Sequence, residues 1–378
     1  MVDVGAGRAD NGGSKAGSGL RLERQGAAAV ATVAEGIGDI AGWQDVHSRL
    51  ADWYPQLARD AGVYAAIVRT ERAGETGARG PQAPSPGRDA ATIDGLRAAA
   101  ASELRLCWLH ECFSKPTVGL LNGQIDIRHW LLVAHGTHRV AGEQFCLSFQ
   151  HDPMGGLACH GVGHALARMP HAIGLYVALT GASLGRADAS GLGLVTHCID
   201  RGEFETIAAQ LADADPVDPI LDDRHRDPGV GPVLAQSARI ERYFGAPDLA
   251  STLRRLMSPD AGDEDWAGAT LGAIRACNPL RLALTYHAVR SAGGFDLRQC
   301  LEQDYRIAWR LLVAAAGGGQ PDERAGVNAD RDPASAFRPG EAITAEAVPE
   351  AIIAGYFADL GGAELALPSR AEMQARRV

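Results

Sequence analysis

The sequence predicts an α/β (α+β) fold: a core of strand–strand–helix units followed by a mainly helical C-terminal region. Three observations carry that prediction. Short apolar runs bounded by turn residues alternate with longer helical patterns through roughly the first half of the chain. Residues 115–171 read as an apolar strand (117–121), an Asn122-Gly123 turn, a helix, a strand, and a second Gly-rich turn entering another helix. Beyond residue 201 the periodicity is almost entirely helical.

In chain order, residues 1–19 are polar and Gly-rich, which predicts a disordered tail without the apolar stretch of a secretory signal. RLERQGAAAVATVAE, from Arg21, predicts a hairpin around Gly26. Residues 44–60 carry apolar side chains at helical spacing, with Pro55 limiting the regularity of that helix. VYAAIV, from Val63, predicts a buried strand, and residues 70–89 form a Gly/Pro/Arg-rich loop of a length that is usually functional or mobile. Residues 90–113 predict a long Ala/Leu helix.

Past the central stretch, 173–181 predicts a helix, and 187–195 a short helix leading into the strand LVTHCI. Residues 212–233 are acidic and Pro-rich, the composition of a boundary or connection. Helices are expected at 246–257, 265–276, 279–291 and 296–316. The last has Asp296 as N-cap and an apolar face of Leu297, Cys300, Leu301, Tyr305, Ala308, Leu311 and Leu312. A Pro/Asp-rich connection leads to a final short helix near 348–357. The expected organisation is a tail (1–19), a core (20–200) and a helical region (201–378).

Composition narrows the function. In 378 residues, 46% apolar and 22% charged, there is ample material for a core. A net charge of −10 without a concentrated basic face excludes a nucleic-acid partner. No apolar run approaches a membrane span. Seven scattered cysteines without a CxxC pair predict reduced thiols and a cytoplasmic protein. Of the 12 histidines, seven fall between His129 and His171, so any catalysis is expected there.

Three segments resemble a known family: SKPTVGLLNG from Ser114, ALTGASLGRADASGLGLVTHCID from Ala178, and NPLRLALTYHAVRSAGGFDLRQCLEQDYRIAWRLL from Asn278. They are similar to the enoyl-CoA hydratase/isomerase (crotonase) superfamily, and within it to the 3-hydroxyisobutyryl-CoA hydrolase branch, over about residues 20–358. The resemblance implies a spiral of ββα units with helices at the C-terminus, acyl-CoA as substrate, and a role in valine catabolism. It implies no separate cofactor, since CoA is part of the substrate, and no metal. It also implies a homo-oligomer (trimer or hexamer) or a hetero-assembly with an active paralogue.

The family holds the thioester carbonyl between two backbone N–H donors, which stabilise the developing oxyanion. Its hydrolase branch adds a Glu and an Asp. Laid on that pattern, the oxyanion-helix Gly-Gly-Gly falls on Ile127-Arg128-His129, and the second donor loop on Ala78-Arg79-Gly80-Pro81. The Glu position is His151 and the Asp position is Cys159. Side chains at Ile127 and Arg128 are expected to crowd the carbonyl's approach.

Two readings of those departures stand. His151 as base and Cys159 as nucleophile make a dyad competent on thioesters, with Cys159 at a Gly-rich helix entry; alternatively the site has drifted and the chain is a non-catalytic acyl-CoA binder or assembly subunit. His160 and His164 are four residues apart, a weak zinc signal against ordinary surface or core histidines. Asp152 is a weaker carboxylate candidate. Arg79 and Arg128 suit an anionic substrate group or a salt bridge closing the pocket. Lys115 is expected to face solvent, and Cys107 and Cys112 to pack in the core.

Overall fold

The computed structural model describes residues 19–37, 40–71, 90–149, 161–315 and 348–376. Strands β1 (Leu20–Gln25) and β2 (Ala28–Ala34) form the expected antiparallel hairpin. Helix α1 (Ile40–Arg59) runs through Pro55. An interior proline costs a helix about 3 kcal/mol, but Trp43, Val46, Leu50, Tyr54 and Leu57 are all buried along this one. Burying each large apolar side chain contributes roughly 1.5–3 kcal/mol, which outweighs that cost.

Next come β3 (Ala65–Glu71), α2 (Ala90–Glu111), β4 (Thr117–Leu121), β5 (Gln124–Asp126), α3 (Ile127–Ala134), β6 (His138–Ala141) and β7 (Cys146–Ser148). After residue 160 the chain continues through α4 (Gly163–Leu166), α5 (Ile173–Thr180), β8 (Leu184–Gly185), α6 (Arg186–Gly191) and β9 (His197–Cys198). The six-stranded sheet has the order β1-β2-β3-β4-β6-β9, parallel after the first pair. A smaller sheet has the order β5-β7-β8. The strand–strand–helix rhythm thus has a physical meaning. β4 and β6 lie in the large sheet, and β5 and β7, which follow them, lie in the small one. The bend between β4 and β5 is at Gly123, φ +86, where Asn122 Oδ1 also accepts the N–H of Gln144 at 2.9 Å.

Helix α3 closes on β4 over Gly119. A Cβ there would stand 2.7 Å from Val133, so only glycine permits this approach. β4 is buried along its whole length, as its unbroken apolar pattern predicts.

The described C-terminal elements are helical: α7 (Phe204–Ala212), α8 (Val217–Asp222), α9 (Ser237–Phe244), α10 (Leu249–Met257), α11 (Glu264–Arg275), α12 (Pro279–Ala292), α13 (Leu297–Ala315), α14 (Glu350–Phe357) and α15 (Arg370–Ala375). Asp296 caps α13 as expected: its carboxylate accepts the Gln299 N–H at 2.8 Å. The seven predicted face residues of α13 are all buried. Among the described residues no helix is long and apolar enough to cross a membrane.

Three local expectations change. The acidic stretch 212–233 is not a bare connection: α8 buries Val217, Ile220 and Leu221 with Ile199, Phe204 and Ile207 against the outer face of the large sheet. The strand expected over LVTHCI shrinks to His197–Cys198, because α6 ends before Gly193 (φ +73) and the chain enters the sheet late. Lys115 does not face solvent freely; its Nζ donates to the carbonyls of Asp60 (2.5 Å) and Val63 (2.7 Å), tying the entrance of β4 to the end of α1. Cys107 and Cys112 do pack in the main core.

Candidate functional site

The site is built outward from the start of α3. The first turn of any helix leaves its leading N–H groups without intrahelical acceptors, and the chain must supply substitutes. Asp126, in extended conformation (φ −82, ψ 169), is the N-cap; its Oδ1 accepts the His129 N–H at 2.9 Å. Asp126 was missed in the sequence, although an aspartate just ahead of an apolar run is the usual cap signal.

The His129 ring lies 2.8 Å (Nδ1) from the same Asp126 oxygen and 3.1 Å (Nε2) from the Ala34 carbonyl at the end of β2. Both partners are acceptors, so both contacts are hydrogen bonds only when the ring carries two protons. Burial opposes charging His129. The hydrogen bond and charge of Asp126, with the Ala34 carbonyl and Glu35, outweigh burial and raise its pKa. Partial desolvation opposes charge on Asp126, whose side chain is more than half exposed, but the His129 side chain and backbone, with Arg128, hold its pKa below the usual carboxylate range. Trp43 packs edge-on against the ring at 4.8 Å. The result is a clamp between β2 and the mouth of α3.

Of the three expected contributors at this turn, then, His129 is a buried brace, and its N–H is taken by Asp126. Ile127 is buried in the main core. The guanidinium Nε of Arg128 lies 4.0 Å from the carboxylate of Glu103 on α2. His151, Cys159 and Gly80 lie outside the described residues, as do Arg79, Asp152 and His160.

The Gly-rich turn after that segment is anchored from the C-terminal region. Gly161 takes φ +77, and a Cβ there would stand 2.8 Å from Leu301. Its N–H donates at 2.8 Å to Oδ2 of Asp304 on α13, a carboxylate with no exposed surface. Asp304 was also missed, since a single acid on an amphipathic helix carries no signal of its own. Because Gly161 and Val162 are not helical, α4 begins at Gly163 and no continuous helix runs from Cys159 to His164. The helical spacing assumed for His160 and His164 therefore fails. Among the described residues no group of His, Cys, Asp or Glu is arranged to hold a metal.

Nearby thiols are poor nucleophiles. Burial, then Asp304, pushes the Cys300 thiol up to about 12, and burial with Glu103 and Asp304 pushes Cys107 higher still. None of the six described cysteines is in a disulfide. A separate cavity of about 400 Å³ lies among α12, α13 and α14, lined by Phe295, Glu302, Arg306 and Phe357 among others. It contains none of the residues expected from the sequence.

The family model described as enoyl-CoA hydratase/isomerase matches residues 86–357. The chain belongs to the enoyl-CoA hydratase/isomerase family. The crystal structure of an enoyl-CoA hydratase from Rhodobacter sphaeroides superposes with TM-score 0.74 and 26% identity, over 93% of this chain and 100% of that one. A carnitinyl-CoA dehydratase from Mycobacterium thermoresistibile shares the fold with TM-score 0.69 and 23% identity, over 93% and 99%. These place the chain in the crotonase fold.

Similar curated proteins include 3-hydroxyisobutyryl-CoA hydrolase 1 from Arabidopsis thaliana, 27% identical over 56% of this chain and 58% of that protein. Another is the mitochondrial 3-hydroxyisobutyryl-CoA hydrolase from Xenopus tropicalis, 25% identical over 68% and 66%. A third, from Arabidopsis thaliana, is named as a small ribosomal subunit protein, 26% identical over 54% and 52%. The chain spans about half to three-fifths of the length of the first of these relatives. The branch suggested by its sequence motifs is the one to which these hydrolases belong.

Proposed function

We propose that this chain is an acyl-CoA thioester hydrolase of the 3-hydroxyisobutyryl-CoA hydrolase type with a rebuilt active centre. The observation that carries the reading is the start of α3. The helix N-terminus that would face an oxyanion is held in place by Asp126 and His129, the Asp126 carboxylate itself taking the His129 N–H, in a chain whose relatives are named as such hydrolases. Backbone N–H groups near Gly80 and Arg128 would receive the thioester carbonyl oxygen.

His151 would take the proton of Cys159, whose sulfur attacks the carbonyl carbon. The carbonyl re-forms as the C–S bond to CoA breaks, CoA leaving as a thiol with the proton from His151. Water then attacks the acyl-cysteine, His151 again taking a proton, and the acid and free Cys159 are released. The substrate class is a short acyl-CoA, with no further cofactor. A trimer, a hexamer or an assembly with an active paralogue is the proposed quaternary state, in a cytoplasmic setting consistent with described cysteines that form no disulfide.

The test is free-CoA release from a panel of short acyl-CoAs with protein at stoichiometric concentration, alongside Cys159→Ala and His151→Ala. Release by the native chain, reduced 10²-fold or more in either variant, supports the proposal. No release from any acyl-CoA overturns it.

A second reading, a non-catalytic acyl-CoA binder or assembly subunit, is favoured by the sequence reading in which His151 and Cys159 fall at the family's Glu and Asp positions. The relative named as a ribosomal protein points the same way. Calorimetric binding of acyl-CoA without turnover, unchanged by both substitutions, would select it.

A further inference from the structure

β9 is the last strand of the large sheet, so its outer edge would present unpaired backbone groups. The segment following α8 covers it. The Arg226 N–H donates to the Cys198 carbonyl at 2.9 Å, as a neighbouring strand would. The Cys198 N–H, however, is accepted by a side chain: Nδ1 of His225, at 3.0 Å. An N–H needs a lone pair as its partner, so Nδ1 carries no proton and the ring is neutral, its one hydrogen on Nε2. Protonating this ring would set one N–H against another.

The surroundings add to that requirement. His197 on β9 stands edge-on to His225 with ring centres 5.8 Å apart, and His138 on β6 lies 6.0 Å beyond His197. From α8, Asp218 faces His138 at 2.8 Å and Asp222 faces His197 at 3.2 Å. In the segment itself, Arg226 donates to the His225 carbonyl at 3.1 Å, and Arg224 is engaged by Glu203 and Gln210. Arg186 and Asp227 act on the Cys198 thiol. At His197, burial outweighs the Asp222 bond, and His138 and His225 add to burial, so its pKa is lowered. Positive charge on His197 is thus opposed by the folded arrangement.

We infer that His225 is an acid-sensitive latch: neutral, it seals the edge of β9 and pins the end of α8 to the sheet; protonated, it releases both. The opening has a far limit. Asp188, buried on α6, accepts the N–H groups of Val233 (3.0 Å) and Leu234 (2.8 Å), so the segment between His225 and Val233 moves while its far end stays fixed.

Hydrogen exchange of the full chain at pH 7.5 and 5.5, corrected for the intrinsic pH dependence of exchange, tests the latch at Cys198 and residues 223–232. Protection there is expected to fall on the order of tenfold at the lower pH. His225→Asn offers an oxygen near the Nδ1 position and cannot take a charge, so its protection should be the same at both pH values. His225→Ala should be unprotected at both. Equal protection of the native segment at the two pH values, or the native fall persisting in His225→Asn, overturns the inference. Should His225→Asn be open at pH 7.5, ring ¹⁵N NMR of the native chain decides: an unprotonated Nδ1 at that pH upholds the latch, and a protonated one overturns it.

Discussion

At the mouth of α3 the His129 ring faces two acceptors, Asp126 and the Ala34 carbonyl; at the edge of β9 the His225 ring faces a donor, the Cys198 N–H. The first contact set is complete only with the ring charged, the second only with the ring neutral. Both histidines replace a missing backbone interaction, one next to a helix start and the other at a sheet edge. What separates them is whether the groups facing the ring accept or donate. A carboxylate and a carbonyl favour a proton; an edge N–H excludes one.

The two should therefore respond to pH in opposite directions, and predictions that break or sharpen this contrast follow from the largest effect to the smallest. Acid unfolding is the background against which both must be read. Burial, then Arg139, pushes His110 down to about 4. A lowered histidine pKa means that the unfolded chain takes the proton first, so stability is lost as pH falls below the unfolded value. On the order of 3 kcal/mol should disappear from this residue alone between pH 7 and 4. Urea unfolding across that range should show the fall, and His110→Gln should flatten it; an unchanged slope in the variant would remove His110 from the account.

His129→Ala should cost about 2–4 kcal/mol at pH 6, because it empties a buried site and strands two acceptors. His225→Ala, at a half-buried edge, should cost about 1 kcal/mol at pH 7.5. Equal costs in denaturant titrations would erase the contrast between brace and latch.

Gly161→Ala should destabilise by about 1–2 kcal/mol, since it combines a left-handed backbone with a steric conflict at Leu301. Thermal unfolding measures it, and a neutral result would mean that the Asp304 anchor tolerates another backbone path.

The smallest effect is the most diagnostic. Asp126→Asn keeps a capping oxygen but removes the charge, costing about 0.5 kcal/mol, as Asp126 is largely exposed and screened. The raised His129 pKa contributes stability that is complete below the unfolded value and lost as pH rises through the folded one. The lowered Asp126 pKa contributes stability that is lost as pH falls. NMR titration of the ring should show His129 shifting to lower pKa in Asp126→Asn, and no shift would break the proposed pairing.

Much of this molecule could be read from residue order. β4 was evident because TVGLL is bounded by Pro116 and Asn122, and α13 because its apolar stripe is long and its cap is an aspartate. The family was legible in motifs lying in order along the chain. Short elements were not: β5, β7 and β8 are each two or three residues long, too brief for any period to register. α8 was hidden because its acidic and proline residues look like a connection, while its burial depends on a sheet face assembled far away in sequence. At the candidate site, Ile127, Arg128 and His129 were located correctly as the first turn of a helix. Their roles were not legible, because side-chain partners come from other elements: Ala34 of β2 for His129 and Glu103 of α2 for Arg128.

By itself, then, the amino-acid sequence determined the periodic elements and the family. These follow from local order, since side-chain period, caps and turns act over a few residues. Only the tertiary structure decided which histidine must hold a proton and which must lack one. Protonation is set by whether the groups facing a ring donate or accept: the donor facing His225 comes from 27 residues away, and the second acceptor facing His129, the Ala34 carbonyl, from 95.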